Sequence, residues 1–408
     1  MRPDTTPSNA HVADRCSLAP GCPGSSAQSA PAPCNDATEW SEWTVPLGRR
    51  SLLGAGLGLA LPGTQAKTAD SRTPLRFPRD AGGHPDYAIE WWYVTGYTVA
   101  DDGSARFGFQ VTFFRSRVPH TQGMQSRLAA RQLVFGHAAI TDVSRKKFWH
   151  AQRIARSSGA ARGENPADTA WVGEQDTDIG LQDWSLKRDE HDLRARVISS
   201  DFSLNVTLKA SQPVLLQGDR GLSRKGPDPD QSSYYYSIPH LQVGGELVLQ
   251  GQRHTISAGS TAWLDHEWSQ QMMPPQAVGW DWIGINLFDG SALTVFRLHD
   301  RAGNAVWDGG SFRIRDSLFV FQRGEAVFKA IRHWKSPVSR AIYPVEWIVR
   351  TPADFYTVRA LVDNQEMDSR ASTGNVYWEG LCEVWDSQEK RVGRGYLEMT
   401  GYANPIRI

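Results

Sequence analysis

Residues 263–269 read WLDHEWS and residues 279–282 read GWDW. The first stretch sets Asp265, His266 and Glu267 between Trp263 and Trp268. The second sets Asp281 between Trp280 and Trp282. Indole rings are costly to expose, and carboxylates are costly to bury beside them. A carboxylic acid kept neutral in an apolar pocket can deliver a proton to a weak base such as an alkene, and aromatic faces can stabilise the resulting cation. Two other readings use the same residues. One is a buried network of ion pairs and hydrogen bonds that pins a barrel rim. The other is a metal site joining His266 to the carboxylates, but HEWSQ lacks the second His of an HExxH motif, so no metal is expected.

Two further clusters mix polar and aromatic groups. Residues 77–97, FPRDAGGHPDYAIEWWYVTGY, place His84, Asp86 and Glu90 beside Trp91, Trp92 and Tyr93. Either the acid pairs with an Arg in a barrel-closing strand, or Glu90, Trp91, Trp92 and Tyr93 line a ligand site. Residues 232–237, SSYYYS, put Tyr234 and Tyr236 on one strand face and Tyr235 on the other. Tyr234 and Tyr236 are candidate ligand contacts, with plain packing as the alternative.

These side chains need strands to position them. In RFGFQVTFF, Phe107, Phe109, Val111 and Phe113 alternate with small or polar residues, and DFSLNVTLK repeats the pattern with Phe202, Leu204, Val206 and Leu208. Period-two alternation signals half-buried antiparallel strands. Further strands are expected at 132–142, 241–250, 280–288, 292–299, 312–321, 354–362, 376–385 and 393–402. Only 324–335 reads as a helix. In WLDHEWS, an extended chain puts Trp263, Asp265 and Glu267 on one face and Leu264, His266 and Trp268 on the other. Asp281 shares its face with Ile283, Ile285 and Leu287, where an acid needs a partner or keeps its proton. Many short antiparallel strands make an all-β protein of barrels or sandwiches. The polar stretch at 217–240 suggests two tandem β domains, 67–240 and 241–408.

The 408 residues carry 44 basic and 44 acidic side chains, which gives no basic stripe for nucleic acid. The 16 Trp are many for this length and suit an apolar ligand. Cys16, Cys22 and Cys34 lie in a Pro/Ser/Ala-rich stretch, and Cys382 reads as a core residue, so no disulfide framework or Cys-based zinc site is expected. Residues 49–66, RRSLLGAGLGLALPGTQA, have the order of a twin-arginine export signal. Residues 1–48 read as a disordered extension or a misassigned start. Export to the periplasm or beyond is the expected localisation, and association with a membrane surface is a further expectation.

Taken together, the stretches 77–97, LLQGDRGLSRKG, SSYYYSIPHL, TAWLDHEWSQQ, GWDWIGINLFDG, YPVEW, DNQEM, YWEG and GRGYLEMTGY resemble a bacterial secreted family related to carotenoid 1,2-hydratase. They run in order over nearly the whole body. The resemblance implies two tandem lipocalin-like antiparallel β-barrels and a pocket for a long apolar molecule such as an isoprenoid or lipid. It also implies cofactor-independent addition of water to a C=C bond. The D-H-x-W stretch implicated in catalysis in that family matches Asp265, His266 and Trp268. A Tyr and an Asp expected in the following strand are not found in ALTVFRLHD, which has Phe296 and no acid before Asp300. On this reading Asp265 or Asp281 gives the proton, Trp268, Trp280 or Trp282 flanks the cation, and His266 handles the water. The rival reading is an exported carrier in which the same cluster only closes the barrel. A secreted hydrolase is a third reading, although the body has no G-x-S-x-G elbow.

Overall fold

The computed structural model describes residues 74–271 and 273–406. The expected export signal and the segment ahead of it lie outside the described residues. Among the described residues there is no α-helix, only two short 3-10 turns, Arg79–Ala81 and Pro119–Thr121. Fourteen strands form one antiparallel sheet. They are β1 (Ile89–Val99), β2 (Arg106–Arg117), β3 (Gln132–Asp142), β4 (Lys147–Ser157), β5 (Ala170–Val172), β6 (Asp178–Leu181), β7 (Trp184–Asp189), β8 (Asp192–Ile198), β9 (Phe202–Lys209), β10 (Leu215–Leu216), β11 (Leu222–Arg224), β12 (Ser232–Leu249), β13 (Gln252–Thr255) and β14 (Thr261–Ser269). The second sheet has ten: β15 (Gly279–Leu287), β16 (Ala292–His299), β17 (Ala305–Ile314), β18 (Ser317–Phe321), β19 (Val327–Lys335), β20 (Ile342–Arg350), β21 (Phe355–Ala360), β22 (Glu366–Ser369), β23 (Asn375–Trp385) and β24 (Arg391–Met399).

The first sheet runs β4-β3-β2-β1-β14-β12-β9-β8-β7-β6-β5, and its edges β4 and β5 approach each other in a nearly closed barrel. Its interior holds Phe107, Phe109, Val111 and Phe113 together with Leu204, Val206 and Leu208, as the alternation requires. The second sheet runs β18-β17-β16-β15-β24-β23-β21-β20-β19 around Ile283, Ile285, Trp347 and Cys382. A third apolar cluster, with Tyr93, Trp263, Trp282, Phe296, Leu381 and Tyr396, lies between the two sheets. The strands facing this layer are therefore buried on both faces.

Three expectations need correction. The domain boundary at residue 240 falls inside β12, and the chain passes between sheets after Ser269 and before Gly279. The polar stretch ahead of β12 is a wrapping loop rather than a linker. Within β12 the pairing with β14 shifts register between Ile238 and Leu241, with His240 at φ 53°. This bulge keeps Ile238 and Leu241 both inward despite their odd spacing. The helix expected at 324–335 is β19 instead. Its bulges around Arg332 interrupt the two-residue alternation and so imitate helical spacing. The single strand expected at 312–321 is a hairpin of β17 and β18, turning at Arg315 with φ 52°.

Candidate functional site

The outer faces of the two sheets enclose a cavity of about 280 Å³. One row of its wall crosses the first sheet through His137, Thr112, Tyr93, Asp265 and Ser237, all in register. The next row crosses through Phe135, Phe114, Trp91, Glu267 and Tyr235. The second sheet contributes a row of Glu379, Glu398, Trp282 and Phe296. Strand spacing makes the distance from His137 to Asp265 roughly 14 Å.

Asp265 is buried and accepts three hydrogen bonds. Ser237 Oγ donates at 2.5 Å and Trp263 Nε1 at 2.7 Å to Oδ1, and Tyr235 Oη donates at 2.7 Å to Oδ2. Burial pushes its pKa up to about 7, against these bonds, which favour the anion. Tyr235 Oη also accepts from Trp282 Nε1 at 3.0 Å, which ties the carboxylate to the second sheet. Burial likewise pushes Glu398 up to about 7; the bond from Trp280 Nε1 at 3.0 Å opposes the shift, and the neighbouring acids Asp265, Glu267 and Asp281 add to it. Glu379 is raised well above the usual carboxylate range by burial and by Glu398. Glu267 is paired with Lys225 Nζ at 2.9 Å, and that ammonium lies 4.1 Å over the Phe296 ring.

The sequence-derived site residues divide by face. Asp265, Trp91, Tyr93, Trp280 and Trp282 line the cavity, and Glu90 contributes to its wall while its carboxylate bonds to His266, His84 and Arg115. His266, Trp268, Trp92, Tyr234 and Tyr236 point into the first barrel instead. There His266 Nε2 meets Glu90 Oε1 at 2.9 Å, and His84 Nδ1 meets the same oxygen at 2.7 Å. Arg115 Nε donates to Glu90 Oε2 at 2.9 Å. Burial opposes ionisation of Glu90, yet Arg115 and the two imidazoles hold its pKa well below the usual range. Burial lowers His266 to about 4, against its bond to Glu90. Trp92 stacks on His266 and Trp268 stacks on His84. His84, Glu90 and His266 are close enough to share a metal ion. However, both rings already spend a nitrogen on Glu90, and Arg115 balances its charge, so the geometry is that of a buried ion-pair and hydrogen-bond network. Asp281 is sealed inside the second barrel, bonded by Arg297 Nε at 2.7 Å and Tyr402 Oη at 2.8 Å. The roles expected for His266 and Trp268 at the reacting atoms, and for Asp281 as proton donor, are therefore corrected: these side chains face the barrel interiors.

Sequence reasoning passed over Glu379, Glu398, Lys225 and Tyr235. Glu379 and Glu398 lie in YWEG and GRGYLEMTGY, each an acid flanked by aromatic or apolar residues. That was the available signal, and it becomes readable once the outer face of the second sheet is known to be covered.

The AttH-like family matches residues 68–402, which is nearly all of the body. The chain belongs to the AttH-like family. An AttH-like protein from Nitrosomonas europaea has 41% sequence identity over 84% of this chain and 100% of its own, with a TM-score of 0.75. Kievitone hydratase from Nectria haematococca shares the fold at 14% identity, over 83% of this chain and 96% of its own, with a TM-score of 0.63. A search of curated proteins finds no match. In this AttH-like chain the two-barrel architecture thus joins a cavity built by both barrels to a set of acids held near neutral pH.

Proposed function

We propose that this protein is a cofactor-independent hydratase that adds water to an alkene of an apolar, isoprenoid-type ligand in the cavity between the barrels. The observation that carries the reading is the pair Asp265 and Glu398, both held near a pKa of 7 in an aromatic cavity. A hydratase is built on the same fold. The two acids differ in their hydrogen bonds, and that difference assigns their roles. Glu398 accepts one bond, from Trp280 to Oε2, and can carry a proton on Oε1. Asp265 accepts three donors, which suit a carboxylate. Glu398 gives its proton to one alkene carbon, forming a C–H bond and a tertiary cation. The faces of Trp282, Phe296 and Trp91 and the Asp265 carboxylate stabilise that cation. Water forms the C–O bond and passes its extra proton to Asp265, and a proton exchange between the two acids resets the site.

The test is incubation with acyclic isoprenoids followed by mass spectrometry for the gain of one water. Asp265→Asn and Glu398→Gln should each lower turnover by about 10²-fold or more, with melting and ligand binding kept. The wild-type rate should follow a narrow bell centred near pH 7, since Asp265 must be ionised and Glu398 protonated. Asp265→Asn should remove the acid limb of the bell and Glu398→Gln the alkaline limb. Undiminished turnover in both variants would sink the mechanism. Ligand binding with no gain of water by the wild type would leave the carrier reading in its place.

A further inference from the structure

Three polar atoms find no close hydrogen-bond partner among the described residues: Tyr93 Oη and Glu379 Oε1, on residues that line one end of the cavity, and Gln110 Oε1, on a residue just behind that wall which is hydrogen-bonded to Glu379. Their residues are 6%, 1% and 1% exposed, so bulk water does not satisfy them. A buried polar group without a partner is destabilising, and a cluster of three such groups beside a cavity is suited to a polar guest. The atoms are neighbours. Gln110 Nε2 donates to the other carboxyl oxygen of Glu379 and, at 3.2 Å, to Tyr377 Oη. Burial raises the Tyr93 phenol well above its ordinary pKa, and the charges of Glu379 and Glu398, with a weak approach of the phenol to the Glu379 carboxyl, raise it further.

The donor and acceptor inventory selects the guest. Burial and the neighbouring Glu398 favour the protonated form of Glu379, in which Oε1 can carry an O–H that donates. The Tyr93 phenol can donate as well. Gln110 Oε1 only accepts. A guest that satisfies all three must therefore accept hydrogen bonds and also give one. A carbonyl would leave Gln110 Oε1 unmet, and a carboxylate would also have no proton to give. An ammonium could donate to these oxygens but would leave the O–H groups of Tyr93 and Glu379 without an acceptor. A hydroxyl oxygen meets every demand.

We propose that Tyr93, Glu379 and Gln110 form a receptor for one hydroxyl oxygen, occupied by water in the free protein and by the alcohol of a bound branched apolar ligand. The inference rests on the reading of this cavity as the site of an apolar ligand, and it adds where the oxygen sits. In a hydration, the water oxygen and the product hydroxyl are the same atom, so one receptor serves both ends of the reaction.

The test reads binding alone. Tetrahydromyrcenol, a saturated tertiary alcohol, and the dimethyloctane of the same skeleton are titrated into the full chain by calorimetry. The wild type should prefer the alcohol by about tenfold, the gain of one to two neutral hydrogen bonds. Tyr93→Phe and Glu379→Gln should each bring the preference within about twofold while leaving affinity for the alkane unchanged, which also reports an intact cavity. Equal affinity of the wild type for both probes, binding of neither, or an undiminished preference in both variants would overturn the proposal. So would loss of alkane binding in both, because the groups would then be packing elements. Turnover is not read, so this outcome is separate from that of Asp265→Asn. Alcohol preference without hydration would leave the receptor standing and remove the hydratase.

Discussion

Asp265 and Asp281 stand in similar company, each flanked by tryptophans in sequence, yet they do opposite things. Asp281 meets a guanidinium inside a barrel and is a balanced charge. Asp265 meets only neutral donors at a cavity wall, so burial raises its pKa instead. His266 belongs with Asp281. Truncation by His266→Ala removes one partner of Glu90 and the ring that Trp92 stacks on, at a cost of roughly 1–3 kcal/mol. Hydration per folded molecule should stay near wild type. The pH dependence carries a sign. His266 titrates at about 4 in the fold and at 6.5 when unfolded, so the unfolded chain binds more protons between those values. Stability from this group is present above pH 6.5 and is lost as the pH falls toward 4. Denaturant unfolding across that window should show a shallower acid loss in His266→Ala, and a fall in turnover beyond the fall in folded fraction would return His266 to the chemistry. The residue types of WLDHEWS announced buried acid–base groups. Which of them touch a cavity was not legible, because both faces of β14 are buried.

At the scale of elements, alternation carried much of the information. Trp263, Asp265 and Glu267 share one face of β14 and Leu264, His266 and Trp268 the other, as an extended chain requires. The same rule puts Tyr235 on the Asp265 side and Tyr234 and Tyr236 inside the barrel. What alternation cannot supply is the element that covers the outer face. Without the facing sheet in each case, Tyr235 on the first sheet and Glu379 and Glu398 on the second read as ordinary surface positions. β15 shows how closely the two sheets are fitted. A methyl on Gly284 would lie 2.6 Å from Trp282 Cζ2 and 3.2 Å from Trp263 Cε2. Gly284→Ala should therefore displace the Trp282 indole and break its bond to Tyr235, at about 1–3 kcal/mol. The far-ultraviolet spectrum should be unchanged, while affinity for an apolar ligand falls and tryptophan emission shifts. Wild-type affinity in this variant would show that Trp282 is not fixed by its glycine neighbour.

At the scale of the molecule, the cavity belongs to neither barrel. The first sheet alone would expose Trp91, Tyr93 and Trp263, and the second alone would expose Trp282, Phe296 and Tyr396. Polar ties cross the same layer. Gln217 Nε2 donates to Ser237 at 2.9 Å and to Thr294 at 3.1 Å, while Ser311 Oγ donates to Gln217 Oε1 at 2.7 Å. Asn286 Nδ2 donates to the Ala262 carbonyl at 3.1 Å. A domain interface that is polar and loosely packed allows relative motion, whereas an apolar one crossed by buried hydrogen bonds couples its halves. The two barrels should therefore unfold in a single transition, with coincident curves from far-ultraviolet circular dichroism and tryptophan fluorescence. A protease site placed in the connection at residues 273–278, and cut in the folded protein, should leave the halves together on a sizing column, with the apolar ligand still bound. Two resolved transitions, or separation of the nicked halves with either one keeping the ligand, would mean that the site resides in one barrel. The pairing of Asp265 on one sheet with Glu398 on the other would then lose its structural basis.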